Sequence, residues 1–131
     1  MKMTANILIA FVAFEHLGFL VLEMFLWTRP IGMQVFGLTR EIAEQTSALA
    51  ANQGLYNGFL SAGLIWSLVK KADVFSLQVF FLSCVVVAGV FGALTAKPSI
   101  LIVQGAPAMI ALMFVVLVNR RTKVPPHLAD R

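Results

Sequence analysis

Apolar residues run along this chain in four long blocks, separated by short clusters of glycine, proline and charge. The blocks extend over Ile7 to Trp27, Ala48 to Val69, Val74 to Thr95 and Ile100 to Val118. Each is close to the ~20 residues that a helix rising 1.5 Å per residue needs to cross a hydrocarbon core of ~30 Å. The pattern predicts four membrane-crossing helices. The second block is the most polar, since Asn52, Gln53, Tyr56 and Asn57 stand in its first half; its apolar remainder, Phe59 to Val69, stops at Lys70 and Lys71.

Between the first two blocks, Pro30, Gly32 and Gly37 interrupt the pattern while Ile31, Met33, Val35, Phe36 and Leu38 keep the segment apolar. Such a stretch, from Arg29 to Ser47, is expected to rest on the membrane surface. Thr39 can cap a helix with Glu41 in its first turn, so the second helix is expected from near Arg40, entering the bilayer only after Glu44 and Gln45. The fold expected is all-α: an integral membrane four-helix bundle with a short interfacial segment between helices 1 and 2. A single domain over residues 1–124 would be followed by a short tail, 125–131, which begins at Pro125-Pro126 and is expected to be disordered.

Composition agrees with this class, with 60% hydrophobic and 12% charged residues, outside the range of soluble domains. The net charge of +4 does not point to nucleic acid, because Lys and Arg collect at the ends of the apolar blocks. In a four-span chain Lys2, Lys70, Lys71, Arg120, Arg121, Lys123 and Arg131 fall on one side, against Arg29, Arg40 and Lys97 on the other. That bias predicts cytoplasmic termini, in a bacterial plasma membrane. A signal peptide is not expected at the amino terminus: the first block is too long, carries Glu15, His16 and Glu23, and ends in Trp27-Thr28-Arg29-Pro30 rather than in a small-residue cleavage site. Cys84 is the single cysteine and is read as an inert core residue.

The stretches EHLGFLVLEMFLW (Glu15 to Trp27), VFGL (Val35 to Leu38), LAANQGLYNGFLSAGLIW (Leu49 to Trp66) and QGAPA (Gln104 to Ala108) resemble a family of small bacterial and fungal membrane proteins, the domain of unknown function numbered 1304. The likeness covers almost the whole chain. It implies a four-helix integral membrane protein and carries no established activity.

Candidate chemistry lies in the polar residues inside the blocks. An ionisable side chain at mid-bilayer costs about 2.5 to 3.5 kcal/mol on insertion scales, so Glu15, His16 and Glu23 on one helix call for an offset. His16 and Glu23 are seven residues apart and share a face, ~10 Å apart along the axis, with Glu15 at its margin. Counted from the block ends, Glu23, Asn52 and Gln104 lie at similar depth, roughly 6 Å inside the outer boundary, and Glu15 and His16 form a deeper layer with Tyr56 and Asn57. Gln53 and Asn57 are one turn apart, as are Asn52 and Tyr56, so both stripes are expected to look into the bundle. Pro107 removes a backbone donor and frees the carbonyl near Val103. The eight residues Glu15, His16, Glu23, Asn52, Gln53, Tyr56, Asn57 and Gln104 would line a polar pocket in the outer half of the membrane, binding or acting on a lipid-like or amphiphilic small molecule.

Other readings compete with this one. Buried Asn, Gln and Tyr commonly serve as interhelical hydrogen bonds, which makes a purely structural polar layer in an assembly protein an alternative. A membrane-embedded Glu also suits a proton-coupled transporter. Zinc or iron on His16 and Glu23 lacks tight ligand spacing, and no metal is assigned. There is no nucleotide, haem or flavin motif, so no cofactor is assigned either. Gly54 and Gly58, and Ala88, Gly89, Gly92, Ala93 and Ala96, are read as close-packing positions, the second group also as a surface on which a homodimer can form.

Overall fold

In a computed structural model, residues 1–123 are described; the tail expected over 125–131 lies outside them. Among the described residues the chain is all helical: α1 (Lys2–Met24), α2 (Pro30–Phe36), α3 (Arg40–Val69), α4 (Val74–Thr95), a π-helical turn (Leu101–Gly105) and α5 (Ala106–Lys123). Three runs, Lys2–Met24, Val74–Thr95 and Leu101–Thr122, are long and apolar enough to cross a membrane. α3 is longer, at 30 residues, but falls outside that group because Asn52, Gln53, Tyr56 and Asn57 dilute its apolar character. The three apolar helices are consistent with a membrane protein.

Two compact units partition the chain, Ala13–Ala62 and Met1–Val12 with Gly63–Arg131. In the first, α1 ends at Met24, a turn earlier than the apolar pattern predicts. Phe25 still donates to Val21, and the chain then turns through an Arg29 N–H bond to the Leu26 carbonyl. α2 follows at once. Pro30 occupies its first turn, where a missing N–H costs nothing, and Gly37 ends it in the left-handed region at φ 68°. Gly32 is obligatory here, since a Cβ would collide with the Leu26 carbonyl oxygen. The turn also sets Trp27 against Phe36, with ring centroids 4.6 Å apart and planes tilted by 46°, and the Trp27 indole N–H donates to Thr46 Oγ1 at 3.0 Å.

α3 starts at Arg40, where expected. The hydroxyl oxygen of Thr39 accepts from the Ile42 N–H at 3.3 Å, satisfying one of the free donors of the first turn. Farther along, α3 approaches α1 through its small residues. A Cβ on Gly54 would stand 2.6 Å from Met24 Cγ and 3.1 Å from Glu23 Cβ, and Gly58 faces the Leu20 side chain. Ser61 Oγ donates to the Ala13 carbonyl at 2.8 Å.

In the other unit, α4 packs against the π turn and α5. Gly89 is buried on Gly105, where a Cβ would meet Gly105 Cα at 2.8 Å, and Gly92 faces Ile100. The glycines at 54, 58, 89 and 92 therefore serve helix packing within the chain. The π turn has a sequence cause. Pro107 offers no N–H to the Val103 carbonyl, and just before it the Ala106 N–H reaches back five residues to the Leu101 carbonyl, widening the helix by one residue. Large apolar side chains such as Phe11, Phe80, Phe91, Leu94 and Ile102 point away from the rest of the chain, which suits helices surrounded by acyl chains.

Candidate functional site

Within Ala13–Ala62 the polar residues of α1 and α3 meet at Glu23. The Asn57 amide donates to Glu23 Oε2 at 2.7 Å. Both residues are half-buried. Beside them lies a cavity of about 220 Å³ lined by Glu23, Trp27, Leu38, Ile42, Thr46, Leu49, Ala50 and Gln53. Its walls are almost wholly apolar, although Glu23, Trp27, Thr46 and Gln53 among the lining residues carry polar groups. The volume falls below the ~300 to 1,000 Å³ of sites for drug-sized ligands, so it suits part of a chain or a small head rather than a large rigid molecule.

The pairing differs from the one obtained by counting depth. That count set Glu23 with Asn52 and put Asn57 in a deeper layer. It fails because block ends do not fix how two helices slide past each other; α1 also stops at Met24, short of the Trp27 from which depth was counted. The antiparallel register is instead set by contacts of Leu20 with Gly58, Glu23 and Met24 with Gly54, and Ala13 with Ser61. This turns Asn57 toward Glu23. Asn52, Gln53 and Tyr56 are exposed, Tyr56 leaning on Phe59 with centroids 6.3 Å apart, and of these three Gln53 lines the cavity.

His16 is fully buried and meets Phe19 edge to face at 5.7 Å. Glu15 is partly buried, and among the described residues its Oε2 is enclosed without a hydrogen-bond partner. Gln104 lies in the π turn of the other unit and is half-buried. Among the described residues no three His, Cys, Asp or Glu side chains converge as metal ligands would.

Residues 10–116 match the model of a family described as "Protein of unknown function (DUF1304)". The chain belongs to this family. Among curated proteins, an uncharacterized protein YpaA from Lactococcus lactis subsp. lactis (strain IL1403) is similar: 30% identical over 115 residues, covering 86% of this chain and 97% of the relative. No solved structure matches. The matched DUF1304 region contains α2 and all of α3 and α4, and with them the Glu23 cavity.

Sequence reasoning missed two contributors to the site. Thr46 holds the Trp27 indole, and Ser61 fixes α3 on the Ala13 carbonyl. Neither stands out in sequence, because a hydroxyl in a helix normally satisfies itself on its own preceding turn. Thr46 does so as well, donating to the Ile42 carbonyl at 2.6 Å.

Proposed function

We propose that this DUF1304 protein is a four-helix integral membrane protein that binds an amphiphilic, lipid-like small molecule at the Glu23 cavity. The observation that carries this reading is that Glu23, whose carboxylate accepts from the Asn57 amide, lines a largely apolar cavity. A ligand with a polar or cationic end would meet Glu23 and Gln53, while its apolar part lies along Leu38, Ile42 and Leu49. In the four-span reading, residues 48–69 of α3 supply the fourth crossing. Outward Leu49, Leu55, Phe59, Ile65 and Val69 support it, as does the hydrogen bonding of Asn57 and Ser61 to α1. The charge bias then puts both termini in the cytoplasm, and a bacterial relative supports a plasma-membrane location.

Mass spectrometry of lipids and metabolites copurifying with wild-type protein and with Glu23→Gln tests the site. A stoichiometric amphiphile present in the first and absent from the second is expected; equal retention overturns the reading. Lys71→Cys tests the topology, with labelling expected only after the membrane is permeabilised.

A second reading, proton-coupled transport, draws on Glu15, whose enclosed Oε2 has no partner among the described residues. Proton-driven cation uptake into vesicles, abolished by Glu15→Gln, would favour it over simple binding.

A further inference from the structure

A second cavity lies wholly within the unit formed by Met1–Val12 and Gly63–Arg131. It encloses about 330 Å³ where α1 begins, α3 ends, α4 begins and α5 ends. Its lining is of a different kind from that at Glu23. Three basic residues, Lys2, Lys70 and Lys71, line it together with Gln78, Asn119 and Thr122, and among the described residues no acidic residue does.

Three observations give this cavity a ligand class. First, among the described residues none of the three lysines has a carboxylate within ion-pair distance; the ion pair found there is Arg40 with Glu44, and Lys70 lies 5.8 Å over the Trp66 ring. Second, Gln78 is 8% exposed and lines the cavity, and among the described residues its side chain makes no hydrogen bond, so its amide is free for what enters the cavity. An amide at a cavity wall with no protein partner offers its donors and its acceptor to the cavity's occupant. Third, α4 starts at Val74, which lines the cavity. Asp73 before it is held at φ 53° and gives no side-chain cap, leaving the first-turn N–H groups free for an anion. The Asp73 carboxylate adjoins this end and opposes an anion, but three lysines outweigh it.

We infer that this cavity is a binding site for a phosphate-bearing anion, held by Lys2, Lys70 and Lys71 with Gln78 as the buried donor. A phosphate group has the charge and the several acceptor oxygens that these donors require. Basic pockets between helices at the cytoplasmic end of membrane spans commonly take anionic lipid head groups, and a free phosphate shares the same chemistry. The site is independent of the Glu23 reading, since none of its residues lines that cavity.

The test is thermal unfolding of the full chain in uncharged detergent, titrated in one arm with phosphatidylglycerol or cardiolipin and in the other with inorganic phosphate. The proteins compared are wild type, Lys70→Gln/Lys71→Gln, the charge-neutral Gln78→Leu, and Arg40→Gln/Lys97→Gln, which removes cations outside the cavity. Saturable stabilisation of wild type is expected, unchanged in the last variant and weakened roughly tenfold in apparent affinity in the first two. Response to the lipid alone identifies a head group as the source; response to phosphate identifies the free anion. If wild type responds to neither, or the Lys70/Lys71 and Gln78 variants respond as wild type does, the site is refuted. Wild type carries this outcome even if a variant fails to fold.

Discussion

The two compact units bury different chemistry. In Ala13–Ala62 the enclosed residues are small or polar, namely Ala13, His16, Gly32, Ala43, Ala50, Gly54 and Ser61. In the other unit Ile9, Val12, Leu64, Leu82, Val85 and Val115 form a mainly aliphatic interior, with Ser67 and Gln78 as its buried polar residues and Gly89 and Gly105 as its closest backbone approach. Lipid tails are as apolar as leucine, so burying aliphatic side chains gains little in a bilayer, and packing and hydrogen bonds decide helix association there. The first unit uses both devices, close glycine contact and bonds from Asn57, Ser61 and Trp27. The second relies on close packing. A carboxylate such as Glu23 costs least where hydrogen bonds already join the helices.

Substitutions should separate the two modes of cohesion, measured as unfolding free energy in bicelles. The largest effect is expected for Gly32→Ala, where the added carbon meets the Leu26 carbonyl and the turn joining α1 to α2 has to open. A loss of about 3 kcal/mol or more is expected, with lost protection of the Trp27 indole N–H from hydrogen exchange. In the packing-held unit, Gly89→Ala drives a carbon to 2.8 Å from Gly105 Cα and should cost about 1 to 3 kcal/mol. If it were neutral, the α4 to π-turn approach would not be a source of cohesion.

Asn57→Leu leaves the Glu23 carboxylate without its donor and should cost about 1 to 3 kcal/mol, while Glu23→Gln on its own keeps an acceptor for Asn57 and should be neutral or stabilising. Combined, Glu23→Leu with Asn57→Leu should recover most of the loss, and failure to recover would mean that the pair does more than satisfy itself. Ser61→Ala removes one bond to the Ala13 carbonyl at an expected ~0.6 to 1.5 kcal/mol. Gly18→Ala, with nothing within 4 Å of the new carbon, should stabilise by up to ~1 kcal/mol through helix propensity alone.

Several helix boundaries were legible in the sequence, though not the end of α1 or the helical form of α2. Apolar block lengths placed α4, Thr39 and Glu41 placed the start of α3 at Arg40, and Pro107 marked the backbone irregularity that became the π turn. These are local consequences of propensity, capping and a missing N–H, which need no distant partner. The sequence also singled out Glu23 and Asn57 as polar residues in apolar surroundings. Tertiary structure decided that they bond to each other, that Asn52 and Tyr56 face outward, and that Thr46 and Ser61 matter. Those outcomes depend on interhelical register, and register follows from where Gly54, Gly58 and Gly32 let backbones approach. A shift of one turn moves a side chain ~5.4 Å along its neighbour, enough to change its partner, and no count along a single helix fixes that turn.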